Sequence, residues 1–284
     1  MSDTHHDNPQ SVLANGRCFG VLGDPIAHSR SPEMHNAAFA ALGIAHRYFP
    51  FHVRPHALAN ALAGARALGL GGLNLTVPHK RAAVAHMDRL SPEAARIGAV
   101  NTVLIRRGEL VGYNTDGAGF LDALAELGGD APKRTVVLGG GGAARSVIDS
   151  LRHCDTPSDV IWVSRDPNKL PALDGVARCN YSELPTALAS SELVVNATTV
   201  GMRGGPDKFT HPFSFDELRR TTRVVDLVYP RQGDGLLDDA ERHGARTQDG
   251  LPTLLWQGVR ALELWLGIAL PASVVATMRR SLNR

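Results

Sequence analysis

The sequence predicts an α/β fold, on three observations. Short apolar strands alternate with Ala/Leu-rich helical stretches almost from the start of the chain. Aromatics make up only 5% of the 284 residues while Gly numbers 29 and Pro 17, which suits layers of strands and helices joined by tight turns. The β-branched run Thr135-Val136-Val137-Leu138 feeds four consecutive glycines, Gly139 to Gly142, ahead of a helical pattern. The length fits roughly two domains, and 43% hydrophobic residues suffice to bury a sizeable core.

The elements follow in order. Cys18 to Leu22 is a short apolar strand, and Ser31-Pro32-Glu33 opens a helix with Ser as N-cap, Pro at the first helical position and an acid in the first turn. The same signal recurs at Ser91-Pro92-Glu93. Between them lie a strand at Arg47 to Val53, a helix at Pro55 to Leu68 and a strand at Gly72 to Leu75. Val100 to Ile105 and Glu109 to Tyr113 flank Arg106-Arg107-Gly108 as a hairpin, so this half reads as a βα sheet with one antiparallel element. A helix at Gly117 to Leu127 precedes a polar break at Gly128 to Pro132. The Thr135 strand, then strands at Val160 to Val163, Leu193 to Val195 and Val224 to Leu227, with helices between the first two of these and a long loop from Thr199 to Pro212, form a small doubly wound unit. Leu251 to Asn283 is helical, interrupted at Pro271.

Composition excludes several classes of function. With 30 Lys+Arg against 28 Asp+Glu the net charge is +2, leaving no bulk field for tracking nucleic acid or anionic lipid. Cys18, Cys154 and Cys179 are odd in number and show no C-x-x-C spacing, as in a reduced, cytoplasmic protein without disulfides or a thiolate metal site. The twelve histidines have no carboxylate or thiolate at ligand spacing, so no metal is expected. Ala261 to Ala276, the most apolar region, is interrupted by Glu263 and Pro271 and is no membrane span. Residues 1–15 read as a loose polar tail rather than a signal peptide.

The strongest local motif is Gly139-Gly140-Gly141-Gly142-Ala143-Ala144, which fits G-x-G-x-x-A between a strand and a helix. Gly139 permits the turn, Gly141 lets backbone approach a pyrophosphate, and Ala144 lets helix and strand pack closely; the plain alternative is a flexible turn. The next strand ends in Ser164-Arg165-Asp166, with Lys169 beyond. An acid there would accept from a free ribose hydroxyl, whereas an Arg would pair with a 2′-phosphate. Arg165 and Lys169 favour NADP, with Asp166 as a helix cap, and NAD stays open. Ser29 and Ser31, beside a helix N-terminus, suit a carboxylate, although Ser31 also serves as a simple cap. Asn74, Thr76 and Lys80 follow one strand, and Asn101 and Asp116 lie at element ends. Taken singly, these have ordinary structural uses as a solvated lysine, a strand-edge amide and a cap.

Together these segments resemble the shikimate dehydrogenases, over nearly the whole chain from Gly20 to about Leu282. The resemblance rests on Gly23-Asp24-Pro25-Ile26-Ala27-His28-Ser29-Arg30-Ser31-Pro32, Asn74-Leu75-Thr76-Val77-Pro78-His79-Lys80, Gly98-Ala99-Val100-Asn101-Thr102, Gly112-Tyr113-Asn114-Thr115-Asp116-Gly117, the glycine loop, Asn196-Ala197-Thr198 with Gly201-Met202, and Asp249-Gly250 with Gln257. It implies a substrate domain of residues 1–116 completed by C-terminal helices in 251–284, with a Rossmann-type dinucleotide domain, 117–250, inserted between. It implies NADP-dependent reduction of 3-dehydroshikimate to shikimate, on the route to chorismate and aromatic amino acids, by a cytoplasmic monomer or homodimer. Lys80 would donate the proton with Asp116 orienting it, while Ser29 and Ser31 bind the substrate carboxylate and Thr76, Asn101 and Gln257 surround the ring oxygens. Tyr229 would face the cleft. Gly139, Gly141, Gly142, Ala143, Ala144, Ser164, Arg165, Asp166, Lys169, Thr198 and Gly250 would hold the cofactor. In the oxidation direction Lys80 would act as base; Asp116 favours its ammonium form and desolvation its amine.

Two positions depart from the family pattern. Ser164-Arg165-Asp166 replaces Asn-Arg-Thr, and Asp166 would repel a 2′-phosphate if it pointed inward, which leaves NAD or dual use as an alternative. Thr253 stands where a Met is frequent, making one wall of the nicotinamide pocket smaller and more polar. The rival readings are a quinate/shikimate or aminoshikimate dehydrogenase and, from another class, a non-catalytic dinucleotide and metabolite sensor. Ser31 favours shikimate over quinate, and the presence of both Lys80 and Asp116 argues against a pure sensor.

Overall fold

The computed structural model describes residues 16–202, 204–209, 211, 213–216, 218–231 and 235–283; the polar start read as a tail lies outside them. These residues form two compact units. One holds the described residues up to Gly119 together with those from Leu254 on, and the other runs Phe120–Thr253.

In the first unit the elements are β1 Cys18–Gly23, α1 Ser31–Ala41, β2 Arg47–His52, α2 Leu58–Ala67, β3 Gly72–Leu75, α3 His79–Ala82, β4 Arg89–Leu90, α4 Pro92–Ile97, β5 Thr102–Arg106 and β6 Glu109–Tyr113. The sheet order is β2-β1-β3-β5-β6-β4. Strand β5 alone runs against its neighbours, antiparallel to both β3 and β6, whereas β4 is parallel to β6. The hairpin closes on Arg107 (φ 51) and Gly108 (φ 74), two positive-φ residues whose twist matches that of the flanking strands. The helix expected at Pro55 to Leu68 is a 3-10 turn, Pro55–Ala57, followed by α2. Ser91 caps α4, its hydroxyl accepting from the Ala94 N–H. Ser31 does not cap α1: it is the first helical residue, Arg30 is the cap position, and Ser29 Oγ accepts the Ser31 N–H at 3.3 Å.

The division between units falls within α5, Asp116–Leu127, and again within α9, Gly250–Leu266. The last helix, α10 Ala272–Leu282, starts directly after Pro271. Trp265 of α9 is buried over the first sheet. Its indole donates to the Val103 carbonyl at 3.0 Å, and a Cβ on Gly72 would stand 2.2 Å from the indole nitrogen. Glycine at the head of β3 is therefore what lets α9 seat on the sheet.

The second unit contains β7 Arg134–Leu138, α6 Gly142–His153, β8 Asp159–Val163, β9 Val176–Cys179, α7 Leu184–Ala189, β10 Leu193–Asn196, β11 Arg223–Asp226, α8 Leu236–Arg242 and β12 Arg246–Gln248. All six strands are parallel, in the order β12-β11-β10-β7-β8-β9. Counted from β7, this is the dinucleotide-fold order 3-2-1-4-5-6, with the switch point between β7 and β10. Its central strands are buried on both faces: Val136 and Leu138 join one core cluster and Val137 the other. Continuous apolar runs, rather than alternating ones, follow from that burial. Strands β4, β9 and β12 are additions to the sequence reading, and the strand expected at Val224 to Leu227 sits one residue earlier. No described helix is long and apolar enough to cross a membrane.

Candidate active site

In the first unit the register aligns Val21, Asn74, Thr102 and Tyr113 across four strands. The ends of β1, β3 and β6 and the beginning of β5 thus share one edge. Lys80 lies on α3 just after β3, and its ammonium donates to Asp116 Oδ2 at 2.7 Å, with the two side chains 23% and 18% exposed. That partial exposure leaves the pair open to a ligand. Asp116 is the first residue of α5, and each of its carboxylate oxygens accepts from a side chain of this edge. Oδ1 accepts from Asn101 Nδ2 at 2.7 Å, and the Asp116 N–H donates to Asn114 Oδ1 at 3.2 Å.

Asn101 is almost wholly buried. Its Oδ1 accepts from the Thr115 N–H at 2.8 Å and from Thr102 Oγ1 at 3.0 Å, so the amide nitrogen is the atom that faces Asp116. The Val100 N–H donates to the Lys80 carbonyl at 2.8 Å, tying α3 to this strand. Thr76 is held by its backbone, its N–H donating to Leu22 and its carbonyl accepting from His79. Gln257 Nε2 donates to the Leu254 carbonyl at 2.7 Å on its own helix. Its backbone lies beside α5, since a Cβ on Gly119 would be 2.4 Å from the Gln257 nitrogen. The structure therefore bonds Lys80, Asp116 and Asn101 directly, places Gln257 against the next turn of the Asp116 helix, and sets Thr76 on the Lys80 segment. Ser29 and Ser31 occupy the loop and helix start after β1. Tyr229 belongs to the second unit, after β11. Thr102 and Thr115 are members of the bonded group that the sequence reading did not single out, although both stand in its quoted motifs.

The second unit holds a cavity of about 660 Å³ at the ends of its strands. Gly139, Gly140, Gly141, Ser164, Arg165, Asp166, Lys169 and Thr198 line it, together with Leu170, Tyr181, Ala197, Thr199, Val200, Pro206 and Phe209. Gly139 has φ +117, and a Cβ there would stand 2.8 Å from the Ala197 carbonyl, so only glycine fits the turn. Trp162 Nε1 donates to the Gly139 carbonyl at 2.5 Å and pins it. Gly141 has open space on its Cβ side, and Ala144 is fully buried against the strand. Ser164 Oγ is buried without a hydrogen-bond partner among the described residues. An orphaned hydroxyl, a glycine turn and a helix start that no side chain caps fit the ribose and pyrophosphate of a dinucleotide.

Asp166 is committed elsewhere: its carboxylate accepts from the Asn168 N–H at 3.2 Å as a cap and pairs with Lys169 Nζ at 3.1 Å. Arg165 is exposed and has no ion-pair partner among the described residues. Tyr181, which lines the same cavity, has its phenol pushed upward by burial, partly offset by the Arg165 charge. Thr198 Oγ1 donates to Asn196 Oδ1 at 2.7 Å, and Asn196 Nδ2 donates to Asp226 Oδ1 at 2.8 Å. Burial pushes the Asp226 carboxyl up to about 6 despite the hydrogen bonds it accepts from the Val228 N–H and the Asn196 amide. Gly142 and Ala143 open α6, while Gly250 does not line the cavity; a Cβ there would be 2.4 Å from the Leu227 carbonyl. Thr253 Oγ1 is buried and unpartnered among the described residues. Tyr181 and Phe209 carry no signal in the sequence: Tyr181 lies in the span read as helices between two strands, and Phe209 in the long loop.

The chain is similar to known proteins. Residues 21–103 match the family described as shikimate dehydrogenase substrate binding domain. A shikimate dehydrogenase (NADP(+)) of Thermococcus kodakarensis is 41% identical over 261 residues, covering 89% of this chain and 92% of that protein. The crystal structure of shikimate 5-dehydrogenase from Thermus thermophilus in complex with NADP(H) and shikimate is 39% identical with a TM-score of 0.83, covering 93% of this chain and 99% of that one. The enzyme from Listeria monocytogenes, in complex with shikimate and NAD, is 33% identical with a TM-score of 0.81, covering 94% and 96% of the two chains.

Proposed function

This chain belongs to the shikimate dehydrogenase family, and we propose that it catalyses the reversible, NADP-dependent reduction of 3-dehydroshikimate to shikimate. The observation that carries the reading is the Lys80–Asp116–Asn101 arrangement in a chain that also holds a glycine-turn dinucleotide fold. When bound, NADPH supplies the hydride for the ring carbonyl carbon. The protein supplies the proton. As negative charge grows on the carbonyl oxygen, Lys80 Nζ, the one acidic N–H donor in the bonded group, gives it a proton and becomes a neutral amine. Asp116 Oδ2 holds that nitrogen in place, and Asn101, itself oriented by the Thr115 N–H, holds Asp116. In the oxidation direction the same amine takes the hydroxyl proton.

Ser29 and Ser31, at the N-terminus of α1, receive the substrate carboxylate, where the helix end favours an anion. Thr76, Asn101, Asp116 and Gln257 bind the ring oxygens, and Tyr229 completes the set. Gly139, Gly141, Gly142, Ala143 and Ala144 hold the pyrophosphate, Ser164 a ribose hydroxyl, Arg165 the 2′-phosphate, and Thr198 the neighbouring wall. With Asp166 engaged by Asn168 and Lys169, the acid that would select NAD is turned to another task. Lys169 then contributes by neutralising Asp166, and Gly250 by letting α9 begin against Leu227. Three free cysteines suit a reducing cytoplasm, where the chain acts as a monomer or homodimer.

The test is a steady-state assay of shikimate and quinate oxidation, each with NADP and with NAD. Turnover fastest with shikimate and NADP is expected. Silence in all four combinations would overturn the enzyme reading, and a preference for quinate would reassign the substrate.

A further inference from the structure

We propose that Tyr48, on strand β2, is a positioning residue that acts on the proton-transfer pair through Asn74, Thr102 and Asn101; this rests on the roles of Lys80 and Asp116 given above. Two backbone groups fix the orientation of both amides in the chain between them. The Thr115 N–H can only donate, and it donates to Asn101 Oδ1 at 2.8 Å, so Asn101 Nδ2 must face Asp116 Oδ1 at 2.7 Å. The Asn101 carbonyl can only accept, and it accepts from Asn74 Nδ2 at 3.2 Å, so the Asn74 oxygen must face Tyr48. The phenol therefore donates, at 2.8 Å.

Between these fixed ends Asn74 Nδ2 also donates to Thr102 Oγ1 at 3.0 Å, and Thr102 Oγ1 donates to Asn101 Oδ1 at 3.0 Å. Tyr48 to Asn74, Asn74 to Thr102, Thr102 to Asn101 and Asn101 to Asp116 thus run head to tail. Every donor points toward the Asp116 carboxylate. Bonds aligned in one sense polarise one another, and each member here is at most 6% exposed until the carboxylate is reached, so water does not screen the run. The Tyr48 ring is itself held flat against His35, with centroids 4.3 Å apart and planes 15° apart. A buried tyrosine that merely filled space could satisfy its hydroxyl on any carbonyl. This one starts a polar chain that ends on the group orienting Lys80.

Tyr48→Phe keeps the ring stack and deletes the first donor, leaving Asn74 Oδ1 without the hydrogen bond it accepts. The test is a double-mutant cycle with Asp116→Asn in the full-length enzyme, measured as steady-state shikimate oxidation with NADP, with folding checked by thermal melts. Tyr48→Phe is expected to lower kcat about 10-fold, with a smaller change in KM, in the native background and less than twofold in the Asp116→Asn background. Undiminished kcat, or the same factor in both backgrounds, overturns the proposal, because a purely structural residue acts independently of the carboxylate. If Tyr48→Phe does not fold, the near-isosteric Thr102→Val breaks the same chain nearer Asp116 and is judged by the same cycle. A silent native enzyme would instead refute the functional reading beneath it.

Discussion

Replacing Arg165 by alanine tests how the cofactor is chosen. Arg165 is exposed and has no ion-pair partner among the described residues, while Asp166 beside it is occupied by Lys169 at 3.1 Å and by the Asn168 N–H at 3.2 Å. Among the described residues Arg165 is therefore the unpaired cation at this corner. A hydrogen bond to an ionised partner contributes about 1.5–3 kcal/mol, so its loss should raise the Kd for NADP roughly 10- to 150-fold. The lower figure belongs to higher salt, since an exposed pair is screened. The Kd for NAD, which has no 2′-phosphate, should change less than about twofold. Lys169→Ala should also weaken NADP, by a different route: it releases the Asp166 carboxylate toward the same phosphate. Calorimetric titration of both cofactors at about 50 and 300 mM salt separates these effects. Equal losses of NADP and NAD on Arg165→Ala, or no loss of either, would refute the assignment.

Four further outcomes are expected. Lys80→Ala should lower kcat about 10²- to 10⁴-fold with a smaller effect on shikimate KM; a rise in KM alone would make Lys80 a binding residue. Gly139→Ala should destabilise the chain by roughly 1–3 kcal/mol in urea titrations, because of its φ of +117 and the Ala197 carbonyl 2.8 Å away. Gly141→Ala, which meets nothing within 4 Å, should leave the urea midpoint alone and weaken NADP binding, and equal midpoints for both variants would contradict this. Asp226 ionises near 6 when folded against an ordinary 3.8. Between those values the folded chain keeps a proton that the unfolded chain has lost, so this group makes stability fall by up to about 3 kcal/mol as pH rises from 4 to 6. Asp226→Asn, which keeps an acceptor for Asn196 and Val228, should melt higher than the native chain at pH 7.5, with the gap closing by pH 4; a gap independent of pH would count against it.

What could be read from the sequence depended on how local each signal was. The Ser91 cap, the Arg107-Gly108 turn and the Gly139 loop are each specified by a few neighbouring residues, and they stand where the reading put them. Strand β9 has two exposed residues in four, and β12 is the polar Arg246-Thr247-Gln248, so neither shows the apolar run that marks a central strand. Each is an edge strand, stabilised by its one neighbour rather than by its own pattern. Ser31 carries every feature of a cap, but Ser29, two residues earlier, takes the hydrogen bond. Lys80, Asn101 and Asp116 were legible through their motifs. Tyr48 was not, since its partner Asn74 is 26 residues away and becomes a neighbour only when β2, β1 and β3 lie side by side.

The reversed strand β5 has a practical consequence for anyone building on this scaffold. A parallel strand brings the chain to the functional edge once and then needs a crossover to return. The β5–β6 hairpin leaves that edge at Asn101 and comes straight back at Asn114, delivering two chemical groups for a single excursion. Its far tip, Arg107-Gly108, carries no part of the chemistry and is joined to it by a rigid ladder. That tip is a handle: a label or a short grafted peptide placed there would travel with the edge that carries Asn101 without touching it.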